Sequence, residues 1–256
     1  MIASLGMYDL GPLQEANDWL WAGIRDRLRM AGLAAPHALT RGEAAFWPAW
    51  EARDLVLSQT CGFPYRARLH GRVTLIGTPD YGLAGCPPGY YRSIFVARAA
   101  DARGTLAAFS GAPFAYNEPL SQSGWAAPQT YAAALGLRFP ATVQTGGHMF
   151  SARAVAEGQA DLAAIDALTW ELLVRHDPFT QGLKVVGQTD PTPGLPYIAA
   201  PGADQPATFA AVAGAIAALS PADRDLLHLR GLVAIPADTY LAVPIPPAPD
   251  ACGANP

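Results

Sequence analysis

The sequence is poor in charged residues and contains no long apolar run. Only 15% of its 256 residues are charged, and the formal net charge at pH 7 is −4. A basic surface for nucleic acid or for an anionic membrane is therefore not expected. No apolar stretch approaches the roughly 20 residues of a membrane-spanning helix, so we expect no membrane span. Hydrophobic residues make up 51%, which is enough to build a sizeable core as one large domain or two lobes.

Patterns of catalytic and metal-binding residues are also scarce. The sequence has no metal-ligand spacing of His, Cys or Asp and no phosphate-binding loop ending in Gly-Lys-Ser/Thr, so no metal or cofactor is expected. An enzyme would need a nucleophile with a nearby base. Cys61 and His148 are the one pair that can be suggested, and no local signature supports them. We therefore expect a binding protein without catalytic residues.

Two features bear on localisation. Residues 1–9 show neither a basic segment nor a long apolar segment, so no signal peptide is predicted. Cys61 and Cys86 each follow an apparent strand in a loop rich in Gly and Pro, and Cys252 is the third cysteine. A disulfide between Cys61 and Cys86 and a pair of thiols remain equally open. The chain is expected to be cytoplasmic, or to be exported by a signal outside this sequence.

Short β-like runs alternate with helical stretches along the chain. Strands are predicted at 2–5, 55–57, 73–76, 93–97, 114–116, 142–145, 161–165, 183–186 and 197–200, and helices at 12–30, 151–157 and 220–229. This alternation predicts an α/β architecture with mostly parallel sheets. Such sheets bind ligands at the carboxyl ends of their strands. The Pro-rich residues 244–256 are expected to be extended.

The most informative segment follows the predicted strand at 114–116. It reads Asn117-Glu118-Pro119-Leu120-Ser121-Gln122-Ser123-Gly124-Trp125 and leads into a predicted helix. The first N–H groups of a helix have no intrahelical partner and lie at the positive end of its dipole, so they can hold an anion. Ser121, Ser123 and Gln122 add donors, and Gly124 permits close approach of a ligand. In the alternative interpretation Ser121 is an ordinary N-cap without a ligand.

Six segments together resemble the substrate-binding proteins of phosphonate and phosphate ABC transporters. In family order they are Leu57-Ser58-Gln59-Thr60-Cys61-Gly62, Tyr91-Arg92-Ser93, residues 117–125, Thr145-Gly146-Gly147-His148, residues 161–166 and Pro193-Gly194-Leu195-Pro196. The resemblance implies a two-lobed α/β fold of the type II periplasmic-binding-protein kind. Two crossovers, near 90–93 and 190–196, would join the lobes, with the ligand cleft between them. Lobe one would be 1–90 plus 191–256, and lobe two 91–190.

The resemblance also implies site residues. The family grips phosphonate oxygens at the segment that matches Ser121, Gln122, Ser123 and Gly124. Further contacts are implied for Tyr91, for Gln59 and Thr60 in the loop after the second predicted strand, and for His148. Tyr8 is a candidate only because it follows the first predicted strand.

Two departures from the family pattern bear on the ligand. Gln122 stands where the family has a second hydroxyl, although its amide can still donate a hydrogen bond. Pro193-Gly194-Leu195-Pro196 replaces the acids that meet the amine of aminoalkyl phosphonates. We therefore expect a small phosphorus oxyanion, namely phosphate, phosphite or a small phosphonate with an uncharged tail.

Several of these residues have structural alternatives. His148 can donate to the anion, most strongly if it is protonated, or can be a satisfied structural residue. Asp166 can accept a proton from a P–OH group, or can cap the following helix. Tyr8 and Tyr91 can donate hydroxyls or can pack near the hinge, and Glu118 is expected to face away from an anion.

The expected partners are a small oxyanion and, if the chain is exported, an ABC permease. The protein itself is expected to be a monomer that does not bind nucleic acid. Its location would be periplasmic by family resemblance. A cytoplasmic anion sensor or scavenger of the same fold is the alternative function.

Overall fold

The structure is a computed structural model that describes residues 1–249. Its strands, in chain order, are β1 (Ile2–Ser4), β2 (Leu55–Gln59), β3 (Thr74–Asp80), β4 (Tyr90–Tyr91), β5 (Ser93–Arg98), β6 (Phe114–Tyr116), β7 (Ala141–Gln144), β8 (Leu162–Asp166), β9 (Leu183–Gln188), β10 (Thr192–Pro193), β11 (Tyr197–Ala199) and β12 (Gly231–Val233). Its α-helices are α1 (Gln14–Met30), α2 (Trp47–Trp50), α3 (Gly62–Pro64), α4 (Ala127–Ala134), α5 (His148–Ala156), α6 (Ala167–His176), α7 (Gln205–Ala218), α8 (Pro221–Leu226) and α9 (Ala237–Leu241). Two π-helical segments, Tyr65–Leu69 and Gln122–Ala126, lead out of α3 and into α4.

The chain forms two compact units. The first contains Met1–Tyr90 and Pro193–Leu241, and the second contains Tyr91–Thr192 and residues 242–249. The sequence-based division placed all residues after 190 in the first lobe, whereas residues 242–249 group with the second unit. There the indole N–H of Trp125 donates to the carbonyl of Pro247 at 3.0 Å. The two-residue strands β4 and β10, where the chain passes between units, pair with each other.

The first unit is built on a five-stranded sheet in the order β1-β2-β11-β3-β12. β1 and β2 are parallel, whereas β11 runs antiparallel to both β2 and β3. Helix α1 buries Leu20, Ile24 and Leu28 at four-residue intervals, which places them on one face of the helix. The predicted helix at 12–30 is thus present and begins at Gln14, after a 3₁₀ turn at Gly11–Leu13.

The second unit has its own five-stranded sheet in the order β7-β6-β8-β5-β9. β6 is parallel to β7 and β8, whereas β5 is antiparallel to β8 and β9. Helix α5 packs on this sheet through Ala152 and Val155, which are fully buried with Val96 and Ile165 in one apolar cluster.

Both sheets are therefore mixed, and the expectation of mostly parallel sheets was wrong. Among the antiparallel strands, β5 and β11 each follow a passage between units, whereas β12, which is antiparallel to β3, does not. A strand that enters the sheet at the edge where the neighbouring strands end must run in the direction opposite to theirs. Ser93, the first residue of β5, accordingly lies opposite Asp166, the last residue of β8.

The bounds of α5 and α8 also differ from those predicted. α5 begins at His148 rather than at 151, because the chain turns directly after Gly147, which is its N-cap. α8 ends at Leu226 rather than at 229, since His228 has a left-handed φ of 54° and cannot continue a helix. The predicted cap of α8 is present, and Ser220 Oγ accepts the N–H of Asp223 at 3.0 Å.

Some expectations fall at the end of the chain. Residues 244–248 have no regular secondary structure, whereas residues 250–256, including Cys252, lie outside the described residues. Within residues 1–249, Cys61 is a buried thiol and Cys86 a half-buried thiol, so they form no disulfide here. Among the same residues, no helix is both long enough and apolar enough to cross a membrane.

Candidate functional site

In the second unit, polar groups gather at one edge of the sheet. β6, β7 and β8 are parallel, so their carboxyl ends lie at this edge together. The 117–125 segment follows β6, His148 follows β7, and Asp166 is the last residue of β8. Because β5 runs the other way, its first residue, Ser93, lies at the same edge.

The segment after β6 forms a hydroxyl-rich turn at the start of a π-helix. Ser121 is the N-cap, and its Oγ accepts the N–H of Gly124 at 2.9 Å. Its carbonyl accepts the N–H of Ala126 at 2.9 Å, which is the i→i+5 bond of a π-turn. The N-cap interpretation of Ser121 therefore describes its contacts, while the Ser121 hydroxyl retains its own proton for donation.

Asn117 explains why residue 124 is a glycine. A Cβ at Gly124 would lie only 1.8 Å from Asn117 Oδ1 and 2.7 Å from its Cγ. The space that we assigned to an approaching ligand is therefore filled by the Asn117 side chain. Asn117 Oδ1 is buried without a hydrogen-bond partner among the described residues. The main-chain carbonyl of Asn117 accepts the N–H of Gly146 at 2.9 Å. Asn117 thus contacts both the Ser121 turn and the loop before α5.

Ser123 is the centre of a hydrogen-bonded chain. Its carbonyl accepts the Ser93 hydroxyl at 2.8 Å, and its Oγ lies 2.8 Å from His148 Nε2. Ser93 and Ser123 are 1% and 3% exposed, so the bond between them is shielded from bulk water, whereas the bond to the half-buried His148 is shielded only in part. Sequence reasoning passed over Ser93 and Asn117. Their places beside the strand ends were the available signal.

His148 is the first residue of α5 and is neutral near pH 7. Burial lowers its pKa to about 4, and the nearby carbonyl of Ala164 opposes this shift in part. This carbonyl makes no hydrogen bond of good geometry with His148 Nδ1, which is shielded from solvent. Near pH 7, charge-assisted donation from a protonated His148 to an anion is therefore not expected.

Asp166 is 2% exposed and caps α6. Its Oδ1 accepts the N–H of Thr169 at 2.8 Å. The capping alternative is thus present. Gln122 is 1% exposed, and its amide donates to Thr192 Oγ1 at 3.4 Å. Tyr91, 2% exposed, is the last residue of β4.

The first unit holds the remaining candidates. Gln59 ends β2, and its Nε2 donates to Tyr81 Oη at 2.9 Å and to the Leu195 carbonyl at 3.2 Å. Both of its amide protons are therefore used within the unit. Thr60 Oγ1 is buried without a hydrogen-bond partner among the described residues. Tyr8 packs edge-on against Tyr81, with ring centroids 5.1 Å apart.

Tyr8, Gln59 and Tyr81 also line a small cavity of about 10 Å³. That space is about the smallest that holds one water molecule. Tyr81, which sequence reasoning missed, follows the carboxyl end of β3. This position gave the same signal as Tyr8 after β1.

The suggested Cys–His pair has no support in the structure. Cys61 belongs to the first compact unit and His148 to the second. Cys61 is only 6% exposed. Within residues 1–249, no group of His, Cys, Asp and Glu side chains is arranged to hold a metal ion.

Two mixed α/β units, each with its own five-stranded sheet, define the class as the type II periplasmic-binding-protein fold. A sequence model described as ABC transporter, phosphonate, periplasmic substrate-binding protein matches residues 54–239. The chain belongs to this family of substrate-binding proteins, which confirms the resemblance seen in the sequence. No curated protein matches the chain.

Solved structures support the fold. PhnD1 from Prochlorococcus marinus in complex with methylphosphonate is 16% identical, with a TM-score of 0.70, and the match covers 93% of this chain and 94% of that one. The binding protein component of an ABC phosphonate transporter from Pseudomonas aeruginosa is 18% identical, with a TM-score of 0.63 and coverage of 93% and 82%. A histidine kinase sensor domain with similarity to periplasmic binding proteins is 15% identical, with a TM-score of 0.57 and coverage of 96% and 98%.

Proposed function

We propose that this chain is a monomeric, non-catalytic solute-binding protein that captures a small phosphorus oxyanion, namely phosphate, phosphite or a small phosphonate. It would deliver that ligand to an ABC permease. The observation that carries the proposal is the turn from Ser121 to Gly124 at the start of a π-helix, in a chain that belongs to the phosphonate-binding family.

The turn has the chemistry that an oxyanion needs. The Ser123 amide lies in the first turn of the helix and precedes any intrahelical acceptor, so an anion can accept from it. The Ser121 hydroxyl retains a proton, although its oxygen accepts from Gly124. The other proposed ligand residues of this unit are Asp166, which lies at the same sheet edge, and Tyr91, which ends β4. Thr60, Gln59 and Tyr8 are those of the first unit.

The segment after the second passage favours a ligand without an amine. It carries no acid, and its backbone groups are used within the first unit. The N–H of Gly194 donates to the Gly89 carbonyl at 2.8 Å, and the Leu195 carbonyl accepts from Gln59. An ammonium group would find no carboxylate there, so aminoethylphosphonate should bind more weakly than methylphosphonate.

Calorimetry tests the proposal directly. The purified chain is titrated with phosphate, phosphite, methylphosphonate, aminoethylphosphonate and sulfate. We expect one of the first three to bind most tightly. Absence of heat and of thermal stabilisation with all five anions would refute the proposed ligand class.

A pair of cap variants separates ligand contact from stability. Ser121→Ala and Ser220→Ala both delete a hydroxyl that accepts the N–H three residues later. Each should lower the free energy of unfolding by about 0.5–2 kcal/mol. Only Ser121→Ala should also weaken anion binding, by at least tenfold. Equal affinities in the two variants would contradict the role given to the turn.

A cytoplasmic or sensory anion receptor of the same fold is the second candidate. The similarity to a histidine kinase sensor domain favours keeping it. The coding sequence upstream of residue 1 and the presence of neighbouring permease and ATPase genes discriminate between the two. An export signal with a transporter operon would support uptake, and the lack of both would favour the sensor.

A further inference from the structure

The ligand residues proposed so far carry no positive charge near pH 7. They are serine, threonine, glutamine, glycine, tyrosine and aspartate residues, together with His148, which burial keeps neutral. An oxyanion that leaves water binds more strongly where a charged donor replaces part of its hydration. A cation at a ligand-binding sheet edge would therefore complete the site.

Arg230 lies at the edge of the first sheet where β1, β2 and β3 end. These three strands run in one direction, because β1 is parallel to β2 and β11 is antiparallel to both β2 and β3. β12 is antiparallel to β3 and begins opposite its last residue, with Gly231 paired to Asp80. Arg230 directly precedes β12, and its N–H donates to the Asp80 carbonyl at 2.8 Å. Antiparallel pairing thus brings Arg230 to the carboxyl ends of the three strands, where such sheets bind ligands.

The same edge holds the ligand candidates of the first unit. Gln59 is the last residue of β2, whereas Tyr8 and Tyr81 follow β1 and β3. All three line the small cavity described above, and so does Leu229, the residue before Arg230. Arg230 is therefore next to these candidates in the folded unit.

Gly82 fixes the position of the Arg230 side chain. A Cβ at Gly82 would overlap Nε, Cζ and Cδ of Arg230, so the arginine lies directly against the backbone of this turn. Asp80 holds the turn, since its Oδ1 accepts the N–H of Gly82 at 2.9 Å, and Gly82 has a left-handed φ of 60°. A larger residue at 82 would be strained and would displace Arg230. The guanidinium is thus placed by packing before any ligand binds.

The guanidinium of Arg230 is exposed and is not used within the protein. Among residues 1–249, no ion pair or side-chain hydrogen bond involves it. Arg41 and Arg103, by contrast, each pair with an Asp carboxylate. The nearby Asp80 carboxylate accepts the N–H of Gly82 instead. A guanidinium in a fixed position, with all of its N–H donors available, suits an oxyanion.

We infer that Arg230 binds an anionic oxygen of the ligand and supplies the positive charge of the site. The inference rests on the proposed function and adds a residue of the first unit to its site. Arginine stays charged throughout the accessible pH range, so this contact does not depend on the protonation of His148. Its planar fork can also bind two oxygens of one phosphonate or carboxylate group at once.

Calorimetry with methylphosphonate tests Arg230 against a matched arginine. Arg230→Gln should weaken binding at least tenfold, because it removes both the charge and the paired donors. Arg72→Gln is the control, since Arg72 is also exposed and lies before β3, at the opposite end of the same strand. It makes the same change in net charge and should leave the affinity within twofold of wild type. Arg230→Lys keeps the charge without the fork, so its affinity should fall between the two.

Salt and stability measurements separate ligand contact from a structural role. Wild-type affinity should decrease as the NaCl concentration is raised, and this dependence should be weaker in Arg230→Gln. The urea midpoint of Arg230→Gln should match that of wild type, because the side chain is exposed.

Arginine modification tests the contact without any variant. Phenylglyoxal reacts with exposed guanidinium groups, and mass spectrometry identifies the modified residues. Saturating methylphosphonate should protect Arg230 and leave Arg72 reactive.

A second ligand shows which oxygens Arg230 contacts. Phosphonoacetate carries a carboxylate in addition to its phosphonate. If wild type binds it more tightly than methylphosphonate and Arg230→Gln removes this advantage, the guanidinium contacts the carboxylate. An equal loss for both ligands assigns it to the phosphonate, and both results support the inference.

The outcomes also separate this inference from the proposed function. Wild-type affinity for both ligands in Arg230→Gln, or an equal loss in Arg72→Gln, would overturn the inference and leave the function standing. Unchanged modification of Arg230 in the methylphosphonate complex would overturn it as well. Failure of every phosphorus oxyanion to bind wild type would refute the function itself.

Discussion

Gly124→Ala tests the packing of the Ser121 turn against Asn117. The new methyl group would lie 1.8 Å from Asn117 Oδ1, 2.7 Å from its Cγ and 3.1 Å from Ser121 Oγ. Gly124 does not have a left-handed φ, so alanine is compatible with the backbone and only the contact is at issue. Either the Asn117 side chain must leave its position or the turn must move.

The cost follows from ordinary overpacking. Contacts below 3.0 Å are not tolerated, and relieving them in a packed site costs typically about 1–3 kcal/mol. We therefore expect Gly124→Ala to lower the free energy of unfolding by that amount. Since the same turn presents the proposed anion donors, methylphosphonate affinity should fall at least tenfold.

Urea denaturation of four proteins measures the effect: wild type, Gly124→Ala, Asn117→Ala and the double variant. In the Asn117→Ala background the clash is absent, so Gly124→Ala should cost less than about 0.5 kcal/mol. Gly104→Ala is the control, because a Cβ there meets nothing within 4 Å. Loss of stability that persists undiminished in the double variant, or wild-type stability in Gly124→Ala, would refute the reasoning.

Three further predictions concern groups around the same site. Since burial lowers the pKa of His148 from 6.5 to about 4, the unfolded chain binds more protons than the native chain between these values. The free energy of unfolding should therefore decrease by about 1–3 kcal/mol as pH falls through that window. This decrease should be smaller in His148→Gln, and equal urea-denaturation curves against pH in both proteins would contradict it. Asp166→Asn keeps a capping side chain for Thr169, so its stability should change by less than about 1 kcal/mol. If Asp166 accepts a ligand proton, the Asp166→Asn variant should prefer phosphate over sulfate less strongly than wild type does, as measured by calorimetry. An unchanged preference would exclude that role. Trp125→Phe removes the hydrogen bond to Pro247 and should cost about 1–3 kcal/mol. Limited proteolysis should then cut after residue 241 more rapidly than in wild type, whereas an unchanged cleavage rate would show that the bond does not hold this segment.

Local patterns in the sequence were sufficient for the elements that depend on neighbouring residues. The strand at 114–116 has the predicted bounds. Asp166 and Ser220 cap the helices that follow them, because a cap requires only a side-chain oxygen and an N–H three residues later. The family resemblance likewise depended on the order of short segments, and the family match confirms it.

Predictions failed where strands and loops distant in the chain meet. Strand direction in the mixed sheets depends on where the chain enters each unit, and no periodicity records that. The start of α5 at His148 depends on the turn at Gly147, and it changes His148 from the end of a strand to the first residue of a helix. Asn117 and Ser93 lie in two of the segments that carry the family resemblance, but neither was a candidate site residue, and only their distances to Gly124 and Ser123 reveal their importance.

The sequence by itself identified an α/β substrate-binding protein and predicted an anion-binding turn at residues 121–124. Composition, capping residues and motif order are local properties, and these were enough. The tertiary structure alone decided the protonation state of His148 and the hydrogen-bond partners of that turn. Burial against β8 keeps His148 neutral, and its 2.8 Å contact with Ser123 arises between segments 25 residues apart. Desolvation and hydrogen-bond geometry depend on the groups that surround a residue in the folded protein, so they cannot be predicted from the residue type alone.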